Sequence, residues 1–330
     1  MAVLVTGGLG YVGCHSVKQL VDRGEQVVNL DNLSFGHEEA ACGSEVVIGD
    51  ISDRDLLRSI FASHDIDAVM HFAAYADVGE SVTDPRKYYH NNVSASLAML
   101  DVMIECGVKM MIFSSSAATF GEPTTVPIPE DHPKDPTNPY GRSKLMLEQI
   151  LREYERAYGL RSISLRYFNA SGADPSGLIG EDHTPEHHLI PIVLQVALGR
   201  RESVSVFGTD WPTPDGTCVR DYVHVSDLAQ AHLLALDALR DGCATTEYNL
   251  GNGNGYSVME VMRVAEQVTG RNVKAVGAER RAGDPAVLVA GSEKIMRELG
   301  WKPNFPDLKT IIETAWQWHS SHPDGYGGKR

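Results

Sequence analysis

The stretch Thr6-Gly7-Gly8-Leu9-Gly10-Tyr11-Val12-Gly13 follows an apolar run, Ala2-Val3-Leu4-Val5, that is typical of a buried parallel strand. Its glycines, three residues apart, permit a sharp turn from strand to helix, a close approach of a pyrophosphate to the backbone, and tight helix packing. The N-terminus of the following helix would offer N–H groups to the phosphates. The stretch therefore predicts a dinucleotide-binding turn at the start of a parallel sheet.

The second strand, Glu25 to Asp31, ends in a carboxylate at the distance from the glycines that a ribose-binding acid requires. We therefore expect Asp31 to accept hydrogen bonds from both hydroxyls of the adenosine ribose. A carboxylate here would repel a 2′-phosphate, and no arginine follows directly in residues 32–36. The sequence thus favours NAD over NADP as the cofactor.

Short apolar runs alternate with helical patterns through the first half of the chain. The runs lie at 46–48, 67–70 and 109–113. This alternation predicts an α/β protein with a doubly wound parallel sheet of the Rossmann type, in which ligands lie at the carboxyl ends of the strands. Asp50 and Ile51 are accordingly expected near the adenine, and Ala73 near the centre of the cofactor. Phe72 suits that cofactor position and a core position about equally.

A loop rich in Gly, Pro and Asp, residues 172–185, divides the chain into two parts. We predict an NAD-binding Rossmann domain over residues 1–170 and a smaller α+β domain that binds the substrate over residues 171–330. Segment 220–245 is predicted to return to the first domain, because it combines a strand-like run with a helical pattern.

The composition is that of an ordinary globular protein: of 330 residues, 42% are hydrophobic and 22% charged. Lys and Arg number 29 against 44 Asp and Glu, and no long basic run occurs, so we expect no nucleic-acid partner. We expect no membrane partner and a cytoplasmic location, because no uncharged run approaches the length of a membrane span and no leader precedes the first strand. The five scattered cysteines predict neither a disulfide framework nor a zinc site.

Tyr140 and Lys144 lie four residues apart at the start of a predicted helix, 140–158, and so share one helix face. A neighbouring ammonium lowers the pKa of a phenol, and an oxidised nicotinamide would add a second positive charge. Tyr140 would then be able to remove a hydroxyl proton near neutral pH. Such pairs are common on surface helices, but here the pair follows a strand that ends in Ser114-Ser115-Ser116.

These motifs make the sequence similar to the extended short-chain dehydrogenase/reductase family, and within it to the UDP-sugar 4-epimerases. The resemblance covers essentially the whole chain. Its motifs include TGGLGYVG at 6–13, LDN at 30–32, HFAA at 71–74, FSSSA at 113–117, YGRSK at 140–144, LRYFN at 165–169 and RRAGDPA at 280–286. The resemblance implies an isomerase that interconverts UDP-glucose and UDP-galactose by reversible hydride transfer from sugar carbon 4 to tightly bound NAD, through a 4-keto sugar.

The resemblance also implies roles for single residues. Tyr140 would be the catalytic base and acid, Lys144 would modulate its pKa and anchor the nicotinamide ribose, and Ser116 would bond the sugar 4-oxygen. The implied cofactor contacts, besides Tyr140 and Lys144, are Gly7, Gly10, Tyr11, Val12, Gly13, Asp31, Asn32, Asp50, Ile51, Phe72, Ala73, Ala74, Asn91, Ser114, Tyr167 and Phe168. The implied substrate contacts, besides Ser116 and Tyr140, are Asn169, His188, Leu189, Ser205, Phe207, Arg220, Arg281 and Asp284.

In the family pattern, Arg220 and Arg281 meet the diphosphate, since guanidinium groups bond phosphate in a bidentate manner. Asp284 would accept from the uridine ribose and Phe207 would flank the uracil. Surface ion pairing is the alternative for the charged groups, and a buried strand position is the alternative for Phe207. The family further implies a homodimer packed through two helices of each subunit.

Departures from the family pattern leave the substrate open. Ala117 and Ala118 follow Ser116 where 4,6-dehydratases carry an Asp-Glu pair, so elimination would lack its carboxyl groups. Ala76 stands where many epimerases have a lysine on the cofactor, which leaves the tightness of NAD retention open. Leu288 aligns with a position thought to gate N-acetylated sugars, so UDP-xylose/UDP-arabinose and UDP-N-acetylglucosamine remain alternative substrates.

Two further alternatives concern the class of site. His187-His188 predicts no metal site, because adjacent histidines point in different directions and no third ligand has a suitable spacing. A non-catalytic NAD-binding module is the alternative to an enzyme, and the intact Ser116, Tyr140 and Lys144 argue against it.

Overall fold

The computed structural model describes residues 1–281 and 284–327 of the chain. Its strands are β1 (Ala2–Thr6), β2 (Gln26–Asp31), β3 (Glu45–Ile48), β4 (Ile66–His71), β5 (Met110–Ser116), β6 (Arg161–Tyr167), β7 (Asn169–Ser171), β8 (Val204–Phe207), β9 (Val219–His224), β10 (Thr246–Leu250), β11 (Gly255–Ser257), β12 (Ala275–Ala278) and β13 (Val287–Leu288). Its helices are α1 (Tyr11–Asp22), α2 (Arg54–Ser63), α3 (Val78–Thr83), α4 (Pro85–Tyr89), α5 (Ser96–Glu105), α6 (Pro139–Tyr158), α7 (Leu189–Ala197), α8 (Val225–Arg240), α9 (Val258–Thr269), α10 (Glu293–Leu299) and α11 (Leu308–Ser321).

Seven strands form one parallel sheet in the order β10-β6-β5-β4-β1-β2-β3. Strand β1, which lies inside the sheet between β4 and β2, is buried along its whole length, as an apolar run in a sheet covered on both faces requires. The direction of strand succession reverses between β1 and β4, and such a reversal opens a crevice at the carboxyl ends of the strands. The predicted Rossmann-type α/β fold is confirmed.

Helices cover both faces of this sheet. Alternate side chains of β1 enter different cores: Leu4 packs with residues of α2, α5 and α6, whereas Val3 and Val5 pack with residues of α1 and α8. Burial of apolar surface on both faces stabilises the sheet by about 25 cal/mol per Å². The carboxyl edge is the side of the sheet on which polar side chains collect, and it is where the candidate site lies.

The segment 220–245 divides between two sheets. α8 packs against α1 on the large sheet, and β10, directly after the segment, pairs with β6. β9 instead joins β7, β11 and β13 in a four-stranded sheet, so the strand part of this segment lies outside the large sheet. The buried Asp221 carboxylate of β9 holds it there, because it accepts from the backbone N–H groups of Asn252, Gly253 and Ala290 at 2.9–3.1 Å.

The second half of the chain has a core of its own, built from α7, α9, α11 and β8. β8 pairs with β12 in a separate two-stranded sheet. All five cysteines are free thiols. Within residues 1–281 and 284–327, no helix is both long and apolar enough to cross a membrane.

Candidate active site

The glycine-rich turn joins β1 to α1 and leaves one of its sides open. A Cβ on Gly7, where φ is 71°, would lie 2.5 Å from the Ala73 nitrogen, and one on Gly13 would lie 2.3 Å from the Gly7 oxygen. A Cβ on Gly10 would meet only the Gly7 oxygen, at 3.4 Å. The first turn of α1 also has no side-chain cap, so its N–H groups can bind an anion. The turn therefore fits a pyrophosphate.

The Asp31 carboxylate lies at the end of β2, beside this turn. Its Oδ2 accepts from the Leu9 N–H at 3.0 Å and its Oδ1 accepts from the Leu33 N–H at 2.8 Å. Burial raises the pKa of Asp31, and the two backbone donors oppose that shift. Each carboxylate oxygen has a second lone pair, so Asp31 can still accept from a ribose diol.

The predicted cofactor contacts after Asp31 differ in their surroundings: Asn32 and Asp50 are hydrogen-bonded to each other, whereas the Ile51 side chain is buried. Asn32 Nδ2 donates to Asp50 Oδ2 at 2.9 Å, and Asp50 Oδ1 accepts from the Ser52 N–H at 2.9 Å. Ile51, only 4% exposed, has its side chain in the core beneath the sheet. Any contact of Ile51 with a cofactor is therefore left to its main chain.

At the end of β4, as at Ile51, the backbone lies near the glycine-rich turn while a side chain packs into the core. The N–H groups of Phe72 and Ala73 both donate to the Thr6 oxygen, at 2.8 and 3.0 Å, which brings Ala73 against the glycine-rich turn. The Phe72 ring packs on the His232 ring of α8, with 4.7 Å between centroids. Phe72 is thus partly buried against this core, and its predicted contact with the cofactor stays a prediction.

The start of α6 sets the positions of Tyr140 and Lys144. Asn138 caps the helix, since its Oδ1 accepts from the Gly141 N–H at 2.9 Å. Lys144 Nζ donates to the Ser114 oxygen of β5 at 2.8 Å and lies 5.8 Å from the centroid of the Tyr140 ring. The ammonium and the phenol are thus held next to each other at the carboxyl end of β5.

Burial dominates the electrostatics of this pair. It raises the pKa of Tyr140, a shift that a hydrogen bond with Ser116 opposes. It lowers the pKa of Lys144 to about 7, against the opposing effect of the Glu148 carboxylate. A cation bound beside the phenol would favour the phenolate. The structure therefore brings Ser116, Tyr140 and Lys144 together in a buried setting, where a positively charged ligand would lower the pKa of the tyrosine.

The sequence patterns do not predict the buried ion pair beneath this trio. Glu148, one turn beyond Lys144, accepts from Arg166 Nε and Nη2 at 2.8 and 2.6 Å and from Ser115 Oγ at 2.6 Å. Arg166 and Glu148 are 0% and 1% exposed, and the pair fixes α6 to β5 and β6. A usable signal was Arg166 directly after Leu165 near the end of a predicted strand, because a charge buried there requires a partner.

A second feature that the patterns do not predict is Asn92. Residues 90–95 form a π-helical turn, a geometry frequent at functional sites. Asn92 Nδ2 donates to the Tyr75 oxygen at 3.0 Å and to Ser143 Oγ at 3.1 Å, and Asn92 Oδ1 accepts from the Tyr75 N–H at 3.0 Å. The predicted contact Asn91 donates to Asn92 at 2.9 Å. Asn92 thereby ties the segment after β4 to α6.

Two predicted cofactor residues on the turn and on β6 have hydroxyls that are bonded within the chain. Tyr11 OH donates to the Gly172 oxygen at 2.7 Å, so the side chain points into the protein and its N–H remains for a phosphate. The Ser114 Oγ and Tyr167 OH atoms are 2.5 Å apart. Val12 and Ala74, two further predicted cofactor contacts, are partly buried.

The two halves of the chain meet next to Ser116. Ala117 and Ala118 form a short turn directly after it, and Ala117 belongs to a small apolar cluster. Phe168 and Leu288 pack against that cluster. Leu288, the residue predicted to gate bulky sugars, therefore lies where β13 packs beside the carboxyl end of β5.

The residues predicted for the nucleotide lie at the strand ends of the smaller half. The guanidinium of Arg281 lies 3.9 Å from the centroid of the Phe207 ring. Arg220 Nη2 is 3.6 Å from Asp284 Oδ1. Two guanidinium groups near a carboxylate and an aromatic ring can bind a diphosphate attached to a nucleoside.

The remaining substrate predictions are less closely grouped. Asn169 Nδ2 donates to the Asp221 oxygen at 2.9 Å, while Ser205 points outward from β8 between two buried neighbours. His188 is the residue before Leu189, where α7 begins.

The structure places further possible ligand groups beside His188, which the linear spacing around His187-His188 does not indicate. His188 Nδ1 hydrogen-bonds Glu181 Oε1, and His183 Nδ1 lies 3.2 Å from the same oxygen. Burial alone would lower the pKa of His188, but the Glu181 carboxylate outweighs burial and raises it to about 9. His187 points away, to Asp77 Oδ2 at 3.1 Å, as the argument from adjacent histidines expects. The chain reversal within the loop brings together residues that linear spacing separates.

A doubly wound parallel sheet, a glycine-rich first turn and a buried Tyr-x-x-x-Lys pair at the carboxyl end of β5 define a short-chain dehydrogenase/reductase of the extended type. The chain belongs to the NAD dependent epimerase/dehydratase family, whose model matches residues 3–251. The predicted family is thereby confirmed, and the predicted cofactor, NAD, agrees with it.

Known proteins resemble the chain along its full length. The UDP-glucose 4-epimerase of Halalkalibacterium halodurans is 55% identical over 326 residues, which cover 99% of this chain and 98% of the relative. A crystal structure of a UDP-glucose 4-epimerase superimposes with a TM-score of 0.97 and 51% identity, covering 99% of this chain and 100% of that one. The UDP-glucose 4-epimerase of Bifidobacterium longum, solved in complex with NAD+ and UDP, has a TM-score of 0.94 and 40% identity, covering 99% and 100% of the two chains.

Proposed function

We propose that the chain is an NAD-dependent UDP-glucose 4-epimerase that interconverts UDP-glucose and UDP-galactose through a 4-keto sugar. The observation that carries the proposal is the buried pair of Tyr140 and Lys144 beside Ser116, next to a turn whose open side at Gly10 fits a pyrophosphate. The full-length similarity to UDP-glucose 4-epimerases supports it.

The cofactor fits the residues of the large sheet. The backbone at Gly10 and the first turn of α1 would hold the pyrophosphate, Asp31 the adenosine ribose, and Lys144 the nicotinamide ribose. Bound NAD supplies a reversible acceptor for the hydride of sugar carbon 4 and a positive charge in the pocket. We propose the other predicted cofactor contacts on the same grounds, with residues 1–170 as the NAD-binding domain and 171–330 as the domain for the UDP-sugar.

The chain's own residues manage the proton. Tyr140 removes the proton of the sugar 4-hydroxyl and later returns it to the same oxygen, so one group serves as base and acid. Ser116, which is hydrogen-bonded to the Tyr140 phenol, would also hydrogen-bond the sugar 4-oxygen and keep it in place. Lys144 is fixed by the Ser114 oxygen and keeps its ammonium beside the ring. Ala117 and Ala118 offer no carboxyl group to a 4-keto sugar, so the two positions after Ser116 lack the acid that elimination of water needs.

The nucleotide residues would anchor a substrate whose sugar must turn over during the reaction. Arg220 and Arg281 would bind the diphosphate, Asp284 the ribose, and Phe207 the uracil. Tight binding of the UDP part keeps the 4-keto sugar in the site while its reacting end rotates, which is how distant binding energy serves catalysis. We include Asn169, Leu189 and the outward Ser205 among the substrate contacts.

A conversion assay tests the proposed function. The purified chain is incubated with UDP-galactose without added NAD, while both UDP-hexoses and the absorbance of reduced nicotinamide are followed. Conversion without net reduction of NAD is the expected result. No conversion with UDP-galactose, UDP-xylose or UDP-N-acetylglucosamine, even with added NAD, would instead support a non-catalytic binding module.

We also propose a homodimer and a cytoplasmic location. Exposed apolar side chains on adjacent helices support the dimer: Val82 of α3 is 62% exposed and Met146 of α6 is 41% exposed. Sedimentation of the purified chain should give twice the monomer mass. A monomer at micromolar concentration would contradict the dimer without affecting the proposed reaction.

A further inference from the structure

The loop that leads into α7 gathers two imidazoles and two carboxylates around one point. Glu181, His183, Glu186 and His188 each offer one ligand atom, and these atoms all lie within 4.8 Å of one another. Glu181 Oε1 is 3.2 Å from His183 Nδ1, and Glu186 Oε1 is 3.7 Å from His188 Nδ1. A tetrahedral ion with bonds of about 2.0–2.1 Å holds its donors about 3.3 Å apart. The four donors therefore need only small shifts to share one ion.

The donor set selects the class of ion. Two imidazole nitrogens with two carboxylate oxygens suit Zn²⁺ or Co²⁺, whereas Mg²⁺ and Ca²⁺ prefer oxygen ligands throughout. The side chains of Glu181 and Glu186 are 3% and 5% exposed. Two carboxylates buried side by side need positive charge nearby. A dication bound to both, with neutral imidazoles completing the set, balances the charge.

Hydrogen bonds behind the donors hold them in position. Glu186 Oε1 accepts from the N–H groups of His187 and His188 at 2.7 and 2.8 Å. Trp318 Nε1 of α11 donates to the backbone oxygen of Glu181 at 3.0 Å. Outer hydrogen bonds of this kind orient the ligands of metal sites. The carboxylates are thus directed before any ion arrives.

The loop before α7 also contacts residues that follow β1 and β2 of the large sheet. The His183 ring contacts the Tyr11 ring of α1 at 6.1 Å and the Phe35 ring at 6.4 Å, both edge-on. His37 Nε2 lies 3.1 Å from the backbone oxygen of Asp182. The cluster therefore lies where the loop before α7 meets the elements that follow β1 and β2.

We infer that Glu181, His183, Glu186 and His188 form a binding site for one divalent ion of the zinc class, and that the ion fixes the fold of the loop before α7, whose His183 ring contacts Tyr11 of α1. Four protein donors close the coordination shell, which is the arrangement of a structural site. The ion replaces the direct hydrogen bond between His188 and Glu181. The His188 Nδ1 atom then serves the ion, and a substrate contact of His188 is left to its Nε2. The inference is independent of the proposed reaction, because binding is measured without turnover.

Metal titration of the full chain, prepared without a histidine tag and stripped with a chelator, tests the inference. Zn²⁺ is titrated by calorimetry, and Co²⁺ by the visible absorption of its four-coordinate complex. We expect one equivalent of either ion per chain and no displacement by excess Mg²⁺. The absence of a stoichiometric Zn²⁺ and Co²⁺ complex would overturn the inference.

Three variants locate the site. His183→Ala and the isosteric Glu186→Gln should each weaken Zn²⁺ binding about 100-fold or more, beyond the loss caused by removing an outer partner. His187→Ala, on the same loop but directed to Asp77, is the matched control and should keep the affinity of the unchanged chain. Equal affinities in all variants, or a loss confined to His187→Ala, would contradict the site. Circular dichroism confirms that each variant is folded.

Discussion

Two regions of the molecule hold their charged groups in opposite ways. We call Ser116, Tyr140 and Lys144, with Glu148 and Arg166 beneath them, the catalytic edge, after the role proposed for it. We call Phe207, Arg220, Arg281 and Asp284 the nucleotide rim on the same basis. At the catalytic edge, Lys144 and Arg166 are 4% and 0% exposed and are bonded to the chain itself. At the rim, Arg281 is exposed and lies on an aromatic ring, and the Arg220–Asp284 distance is 3.6 Å.

This difference indicates that the two regions serve different steps, the catalytic edge the reaction and the nucleotide rim the binding of substrate. A buried charge that is fully bonded cannot move without a large energetic penalty, so the catalytic edge keeps its geometry before substrate arrives. The contacts at the rim are weaker, so the proposed diphosphate would replace them easily. Changes at the catalytic edge should therefore alter turnover and stability, whereas changes at the rim should alter substrate affinity.

The largest effect is expected from Tyr140→Phe. Removal of the phenolic hydroxyl deletes the proton carrier, so kcat for UDP-galactose should fall about 10²- to 10⁴-fold while KM changes little. Steady-state kinetics measure both constants. Tyr158→Phe, at the exposed end of the same helix, is the control and should leave them unchanged. A loss below tenfold in Tyr140→Phe would remove this residue from proton transfer.

Glu148→Gln tests whether the buried charges of the catalytic edge stabilise the fold. The Arg166 guanidinium is left buried without its carboxylate, which should lower the free energy of unfolding by about 3–5 kcal/mol. Urea unfolding followed by circular dichroism measures the change. Glu153→Gln, an exposed position of α6, should stay within about 0.5 kcal/mol of the unchanged chain. Similar values for the two variants would show that the buried pair contributes little.

Lys144→Met tests the burial of the catalytic ammonium through pH. The folded-state pKa of Lys144, about 7, lies below its ordinary value, so from neutral to alkaline pH the unfolded chain binds more protons and stability rises with pH. The variant lacks this rise. The measured quantity is the free energy of unfolding of the variant minus that of the unchanged chain, with both proteins freed of NAD. This difference should be about 2–3 kcal/mol more positive at about pH 6 than at about pH 9. A difference independent of pH would contradict the lowered pKa.

The smallest effect is expected at the rim. Arg281→Met removes a guanidinium proposed for the diphosphate, so KM should rise about 10- to 100-fold with little change in stability. Arg280→Met is the matched control, because the Arg280 guanidinium lies on the Trp211 ring at 4.1 Å and donates to Asp210. The control should change KM less than about threefold. Equal KM values in both variants would contradict the proposed role of Arg281 in binding the diphosphate.

The features predictable from the sequence are those that depend on a few neighbouring residues. The apolar period of β1, the glycines of the following turn, the acid at the end of β2 and the Tyr140–Lys144 spacing each act through local backbone geometry. Together they determined the doubly wound fold and the family. The roles of single site residues and the division at residue 170 stay predictions.

Only the tertiary structure decided which distant groups meet. Arg166 pairs with Glu148 across two elements, and Asn92 joins Tyr75 to Ser143, because strands and helices that are separate in sequence pack together. β9 went to the small sheet and the loop of residues 181–188 folded back on itself for the same reason. Local patterns record the conformation of a segment, whereas the partner of a buried charge or strand edge is set by packing in three dimensions.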